Sequence, residues 1–186
     1  MNPLSVPKEE LRCEKLNMDE EIERLIEAYG NDILRTCCLY LKDIHRAEDA
    51  FQEVFIKVYN KYNSFRGESS EKTWIMRITI NVCKDMLKTW WLKRVFTSEN
   101  PMPEEEFEED TEKSAIKSIE SKILFKEVLS LKQSLKDVVI LYYYHQLDSR
   151  EISEILGIAE GTVRSRLHRA REILKSKLVG RIEYYD

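Results

Sequence analysis

The stretch from Asp148 to Arg171 constrains the fold more tightly than any other part of the chain. Asp148 followed three residues later by Glu151 is a capping-box pattern, so a helix starts there. Ile152, Ile155 and Leu156 give that helix one apolar face. Gly157 stands where the helix should stop, because glycine enters the left-handed region at little cost. After a turn of about three or four residues a second helix begins near Glu160–Thr162, which is the helix-turn-helix layout. Val163, Leu167, Ala170 and Leu174 lie within about 60° on the helical wheel and face a core. Opposite them lie Gly161, Ser165, His168, Arg169 and Glu172, flanked by Thr162, Arg164 and Lys175.

That outer face suits nucleic acid. Ser and Arg hydrogen-bond base edges, while Arg and Lys neutralise phosphates. Glu172 alone does not balance Arg164, Arg166, Arg169 and Arg171. The formal charge of the whole chain, -4, conceals this. Residues 149–181 carry four acidic and eight basic side chains, whereas residues 97–113 carry eight acidic and one basic. An acidic connector masks a basic module, and local charge governs contact with DNA.

Upstream, five Gly and four Pro in 186 residues favour long helices over many short strands. Residues 1–18 read as a loosely ordered extension. A stripe of Ile22, Leu25, Ile26, Tyr29, Ile33, Cys37 and Leu41 predicts a helix starting near Met18–Asp19. Asp43 marks a break, after which Ala47, Ala50, Phe51, Val54, Phe55 and Val58 predict a second helix. Asn63 to Ser70 reads as a loop. A third helix carries Trp74, Ile75, Ile78, Val82 and Met86 on one side, with Trp74 expected in the core and Trp90 and Trp91 open between core and surface. Three such helices bury one another's stripes as a bundle. Between Ser98 and Asp110, prolines and like charge predict a flexible linker. Periodicity resumes at Ile116, Ile119 and Ile123. The expected fold is all-α: two small helical domains, 19–92 and 121–180, joined by an acidic linker over 93–120, with a tail over 181–186.

The four cysteines form no C-x-x-C pair, and with three His in the chain they read as reduced, mostly buried thiols. No phosphate loop, nucleotide fingerprint or His/Cys/Asp cluster is present. No catalytic residue, metal, cofactor or small-molecule substrate is therefore expected. No apolar run approaches the roughly 18 residues of a membrane span. Met1 to Met18 lacks a signal-peptide core, so the expected location is the cytoplasm.

Gly161-Thr-Val-Arg-Ser-Arg-Leu-His-Arg-Ala-Arg171 and Glu151-Ile-Ser-Glu-Ile-Leu-Gly-Ile158 resemble region four of the sigma-70 family of RNA polymerase sigma factors. Ala47-Glu-Asp-Ala-Phe-Gln-Glu-Val-Phe55, and Thr73-Trp-Ile-Met-Arg-Ile78 with Asn81 and Asp85, resemble region two. Both motifs in this order, with a variable linker and no other region, resemble the extracytoplasmic-function (ECF) group. Lys132, Lys136 and Lys88 depart from the usual Pro, Arg and Arg while keeping charge or solubility.

The resemblance implies the division of labour. Glu48, Asp49, Gln52 and Glu53 would meet the clamp coiled coil of the polymerase β′ subunit, and the β subunit would also be contacted. Phe65, Arg66 and their loop would shape a pocket for bases of the opened -10 element. Asn81 would bond the non-template strand, and Lys84, Lys88, Lys93 and Arg94 would meet phosphates. Gly161, Thr162, Arg164, Ser165, Arg166, His168 and Arg169 would read the -35 element. The linker would thread the polymerase's RNA channel, its carboxylates mimicking phosphate charge. An anti-sigma factor, possibly membrane-tethered, is implied as regulator, in a stress or envelope response. The alternative, a stand-alone helix-turn-helix regulator, needs a dimer to span two half-sites, yet no heptad or sensor domain is visible, and it leaves the Asp49–Glu53 helix without a role.

Overall fold

The computed structural model describes the backbone of residues 8–97 and 115–182 and the side chains of residues 18–90 and 123–178. All regular structure among them is helical. The chain divides into two compact units, Met1–Pro103 and Glu104–Asp186.

The first unit is a three-helix bundle of α1 (Lys8–Leu41), α2 (Ile44–Lys61) and α3 (Glu71–Thr97). α1 starts about ten residues earlier than its apolar stripe predicts. The segment from Lys8 to Met18 lacks a period but is rich in Glu, Lys, Leu and Arg, which favour helix without needing a partner. Lys42, with φ 54, ends α1 in the left-handed region. Asp43 then caps α2 by accepting from the Arg46 amide at 3.0 Å, so the expected break falls where Asp43 stands.

The seam of the bundle is apolar. α1 gives Leu25, Ile33 and Cys37, and α2 gives Ala47, Ala50, Val54 and Val58, every one with no exposure. Burial of each larger aliphatic side chain stabilises by roughly 1.5–3 kcal/mol. α3 is buried on more than the one expected side. Met76, Thr79 and Ile80 are as inaccessible as Ile75, because α3 packs against both α1 and α2. Trp74 and Met86 are only half-buried, so the expectation of Trp74 in the core is corrected. Trp90 also lies half-buried, with the Arg46 guanidinium 5.0 Å above its ring. Trp91 falls outside the described side chains.

The second unit comprises α4 (Ala115–Ser130), α5 (Gln133–Val139), a π-helical turn (Ile140–Tyr144), α6 (Ser149–Leu156) and α7 (Glu160–Ile182). Leu131, Leu135 and Val139 close on Ala170, with Val128 and Leu174 packed against them. This fixes the middle of α7 to the helices before it. Lys136, which stands where Arg is usual, is buried. Lys177 donates to the buried Glu127 carboxylate at 2.8 Å, tying α7 to α4. The expected linker core, 98–114, lies outside the described residues, as does the N-terminal segment 1–7. α3 and α4 reach into the outer parts of the span expected to be linker, and α7 runs past the expected start of the tail at residue 181.

Candidate nucleic-acid and polymerase interfaces

The α6–α7 corner is built from short-range chemistry. Asp148 Oδ1 accepts from the amides of Arg150 and Glu151, both at 2.8 Å, and Glu151 Oε2 accepts from the Asp148 amide at 3.0 Å. The expected capping box is complete. Gly157, with φ 65, ends α6, and the Ile158 amide donates back to the Ser153 carbonyl at 3.2 Å. A side chain at φ 65 would be strained, so glycine belongs there. Ser149 donates to Glu160 Oε1 at 2.8 Å, which links the first residues of α6 and α7. Glu160 also accepts from Arg164. These two bonds, Arg164 first, hold the Glu160 carboxyl below the usual range.

On α7, Val163, Leu167 and Ala170 are buried against the unit. Gly161, Arg164, Ser165, His168 and Arg169 are exposed, and Thr162 and Arg166 are half-exposed. The helical-wheel division therefore holds residue by residue. Two of the expected reading groups are engaged within the helix: Arg164 with Glu160, and Ser165, whose hydroxyl donates to the Thr162 carbonyl at 3.0 Å. Arg166, Arg169 and Arg171 form no ion pair among the described residues.

In the first unit, α2 turns Glu48, Asp49 and Gln52 outward, opposite buried Ala47, Ala50 and Val54. Glu53 is half-buried and accepts from Lys57 at 3.3 Å. Sequence reasoning missed two neighbours on the outer side of this helix: Ile56, 55% exposed, and Tyr59, 36% exposed. Their signal was available, since both are large and fall off the apolar stripe. They add an apolar patch beside the acidic one.

The loop after α2 begins with a 3-10 turn (Tyr62–Ser64). Phe65 is half-buried, its ring 5.1 Å from that of Trp74 and 6.4 Å from that of Tyr62. Tyr62 and Trp74 meet edge-on at 6.2 Å. Gly67 takes φ 69 at the apex, beside exposed Arg66. Ser70 caps α3, its Oγ accepting from the Thr73 amide at 3.1 Å. Asn81, Lys84 and Lys88 share one edge of α3 by their spacing. Asn81 and Lys88 are exposed and Lys84 is half-buried. Arg77, one turn before Asn81 and not singled out from the sequence, has its Nε buried without a hydrogen-bond partner among the described residues. The side chains of Lys93 and Arg94 fall outside those described.

Among the described residues no group of three or more His, Cys, Asp and Glu could hold a metal. No described helix is long and apolar enough to cross a membrane.

Residues 25–92 match the family described as Sigma-70 region 2, and residues 123–174 match Sigma-70, region 4. The ECF RNA polymerase sigma factor SigW of Bacillus subtilis is 30% identical over 179 residues, 92% of this chain and 96% of the relative. The ECF RNA polymerase sigma-E factor of Haemophilus influenzae is 30% identical over 175 residues, 83% of this chain and 85% of the relative. Among solved structures, the sigma factor RpoE of Bartonella quintana, in complex with the anti-sigma factor NepR, superposes with a TM-score of 0.75 at 19% identity. That match covers 86% of this chain and 97% of RpoE, and it speaks to the fold. Family matches over both units and relatives spanning nearly the full length agree: the chain belongs to the sigma-70 family of RNA polymerase sigma factors, in its ECF group.

Proposed function

We propose that the two units divide promoter recognition within the polymerase holoenzyme, and that the chain performs no bond chemistry of its own. The outer face of α2, with Glu48, Asp49, Gln52 and Glu53, docks on the β′ clamp coiled coil. Phe65, Arg66, Asn81, Lys84 and Lys88 engage the opened -10 element. The outer face of α7, from Gly161 to Arg169, enters the major groove at the -35 element. The observation that carries this reading is the two-faced α7. Its buried seam of Val163, Leu167 and Ala170 fixes the helix while Arg166 and Arg169 stay available for bases and phosphates. A stand-alone operator-binding regulator would leave the region 2 match over 25–92 without a role.

Regulation by an anti-sigma factor is part of the proposal. RpoE was solved with NepR, and CnrH, a second fold match with a TM-score of 0.64 at 15% identity, with the cytosolic domain of CnrY. The chain would act in the cytoplasm, held inactive, in some states at the inner face of the membrane, until stress releases it. The acidic segment Glu104–Asp110, outside the described residues, would line the RNA path of the polymerase. Neutralising it should weaken holoenzyme formation or alter promoter escape, and unchanged abortive synthesis would refute that role.

The test is footprinting of reconstituted holoenzyme on a promoter recovered from genomic fragments by transcription. Protection should cover both elements, with Arg169→Ala losing the upstream half. Protection by the chain alone, unaffected by core polymerase, would overturn the reading.

A further inference from the structure

Behind the Phe65–Trp74 pair sits a polar cluster drawn from three separate elements. Tyr62 Oη donates to Glu21 Oε1 at 2.5 Å and lies 3.2 Å from Glu71 Oε1. Arg24 donates through one terminal nitrogen to Glu21 at 2.6 Å and to Glu71 at 2.7 Å. Its Nε reaches Glu21 Oε1 at 3.0 Å. Tyr29 donates to the other Glu71 oxygen at 3.5 Å. One guanidinium thus bridges two carboxylates, and both carboxylates converge on a single phenol. Glu21 and Arg24 belong to α1, Tyr62 to the turn after α2, and Glu71 to the first turn of α3.

We infer that Glu21, Arg24, Tyr62 and Glu71 form a latch that sets the loop carrying Phe65 and Arg66, and so holds the Tyr62–Phe65–Trp74 aromatic cluster ready to receive an extruded -10 base. The inference rests on the proposed -10 role of that loop and deepens it. Tyr62 joins the two clusters. Its ring lines the aromatic cluster, its hydroxyl lies in the polar cluster, and its carbonyl accepts from the Phe65 amide at 2.9 Å. Beyond Phe65 the loop has little holding it: Arg66 and Glu68 are exposed and make no side-chain bond among the described residues. Its geometry is thus set mainly at its two ends, by Tyr62 on one side and the Ser70 cap on the other.

A role in folding alone fits poorly. Side chains of Arg24, Glu21 and Glu71 are 46%, 30% and 27% exposed, and exposed ion pairs add little to stability. What such a cluster does provide is direction, because the planar guanidinium fixes where the oxygens that accept from it must lie. The phenol keeps its proton as donor, since partial burial and then the Glu21 bond push it up to about 12. Glu21 stays ionised, its carboxyl held low first by Arg24 and then by Tyr62. The stacking platform for a flipped base must be in place before the base arrives, or ordering it weakens capture.

The experiment uses full-length protein in reconstituted holoenzyme, with a fork-junction DNA exposing the non-template -10 strand of a promoter recovered by transcription. A duplex -35 fragment, bound by the same holoenzymes, serves as the second probe. Tyr62→Phe keeps the ring and removes only the latch bond, while Arg24→Gln removes the bridge. Each should weaken fork binding on the order of three- to tenfold, the scale of one ordinary hydrogen bond's net contribution. Duplex -35 binding and the thermal midpoint should stay at wild-type values. Phe65→Ala should weaken fork binding further. Wild-type fork binding by Phe65→Ala would overturn the -10 pocket and the latch together. A fork defect in Phe65→Ala, with wild-type behaviour of Tyr62→Phe and Arg24→Gln, would overturn the latch and leave the pocket standing. Parallel losses on both DNAs with a fallen midpoint would reduce the cluster to a structural tie and overturn the latch as well.

Discussion

Leu167→Ala and Arg169→Ala change residues two apart on α7, yet their consequences should differ in kind. Leu167 is 3% exposed and lies between Val163 and Ala170, both fully buried. Removing a buried leucine's terminal carbons costs about 2–5 kcal/mol, transfer and cavity together. A unit of this size rarely holds more than about 3–5 kcal/mol in its core, so most of its stability should go. Helix propensity works in the opposite direction, since Ala is the best helix former, but its gain over Leu is only about a few tenths of a kcal/mol and cannot mask the loss. Amide hydrogen exchange reads the second unit separately from the first. In Leu167→Ala, amides of α6 and α7 should exchange at least roughly 30-fold faster, the ratio that about 2 kcal/mol gives. In Arg169→Ala the same amides should stay within about 0.5 kcal/mol of wild type, while -35 binding falls and its salt dependence becomes shallower. Equal exchange in the two variants, or no acceleration in Leu167→Ala, would refute the two-faced reading of α7.

Three further outcomes follow from the geometry. Asp148→Ala removes two cap bonds from an eight-residue helix that cannot stand alone; it should cost about 1 kcal/mol, seen as faster exchange at Ile152 and Ile155, with Asp148→Asn restoring most of it. Asp49→Arg reverses charge on an exposed position and should weaken core-polymerase binding roughly tenfold or more, measured by fluorescence anisotropy of labelled protein, with the thermal midpoint unchanged. Tyr62 should ionise late. Its folded pKa of about 12 lies above the ordinary value near 10, so the proton it donates to Glu21 is fully present below about pH 10 and is lost as pH rises through about 12. Absorbance at 295 nm should show a late phenolate step near pH 12, and Tyr62→Phe should diminish that step.

What was legible in the sequence depended on how far apart the interacting residues lie. The corner from Asp148 to Arg171 is written in contacts three and four residues apart, so the capping box, the glycine stop and the buried seam of α7 all emerged from spacing. The same holds for α2, where Ala47, Ala50, Val54 and Val58 declare the inner face and leave Glu48, Asp49 and Gln52 outside. α3 resisted this treatment. Enclosed by both neighbours, it buries Met76, Thr79 and Ile80 as well as Ile75 and Val82, and a helix buried on several sides has no single stripe to read. The early start of α1 was hidden for the opposite reason, since residues favouring helix without a partner leave no period. Least legible were pairings across long separations. Tyr62 meets Glu21 41 residues away and Arg24 meets Glu71 across 47. The Cys83 thiol lies 3.7 Å from that of Cys37, 46 residues apart, with neither in a disulfide. Burial was foreseeable for those thiols; their adjacency was not.

Promoter selection by this chain is tested most directly by run-off transcription with core polymerase, the purified chain and a pool of genomic promoter fragments. Specific transcripts should require the chain and be lost with Arg169→Ala, while that variant still assembles with core polymerase. No transcripts, together with specific DNA binding by the chain alone, would contradict such selection.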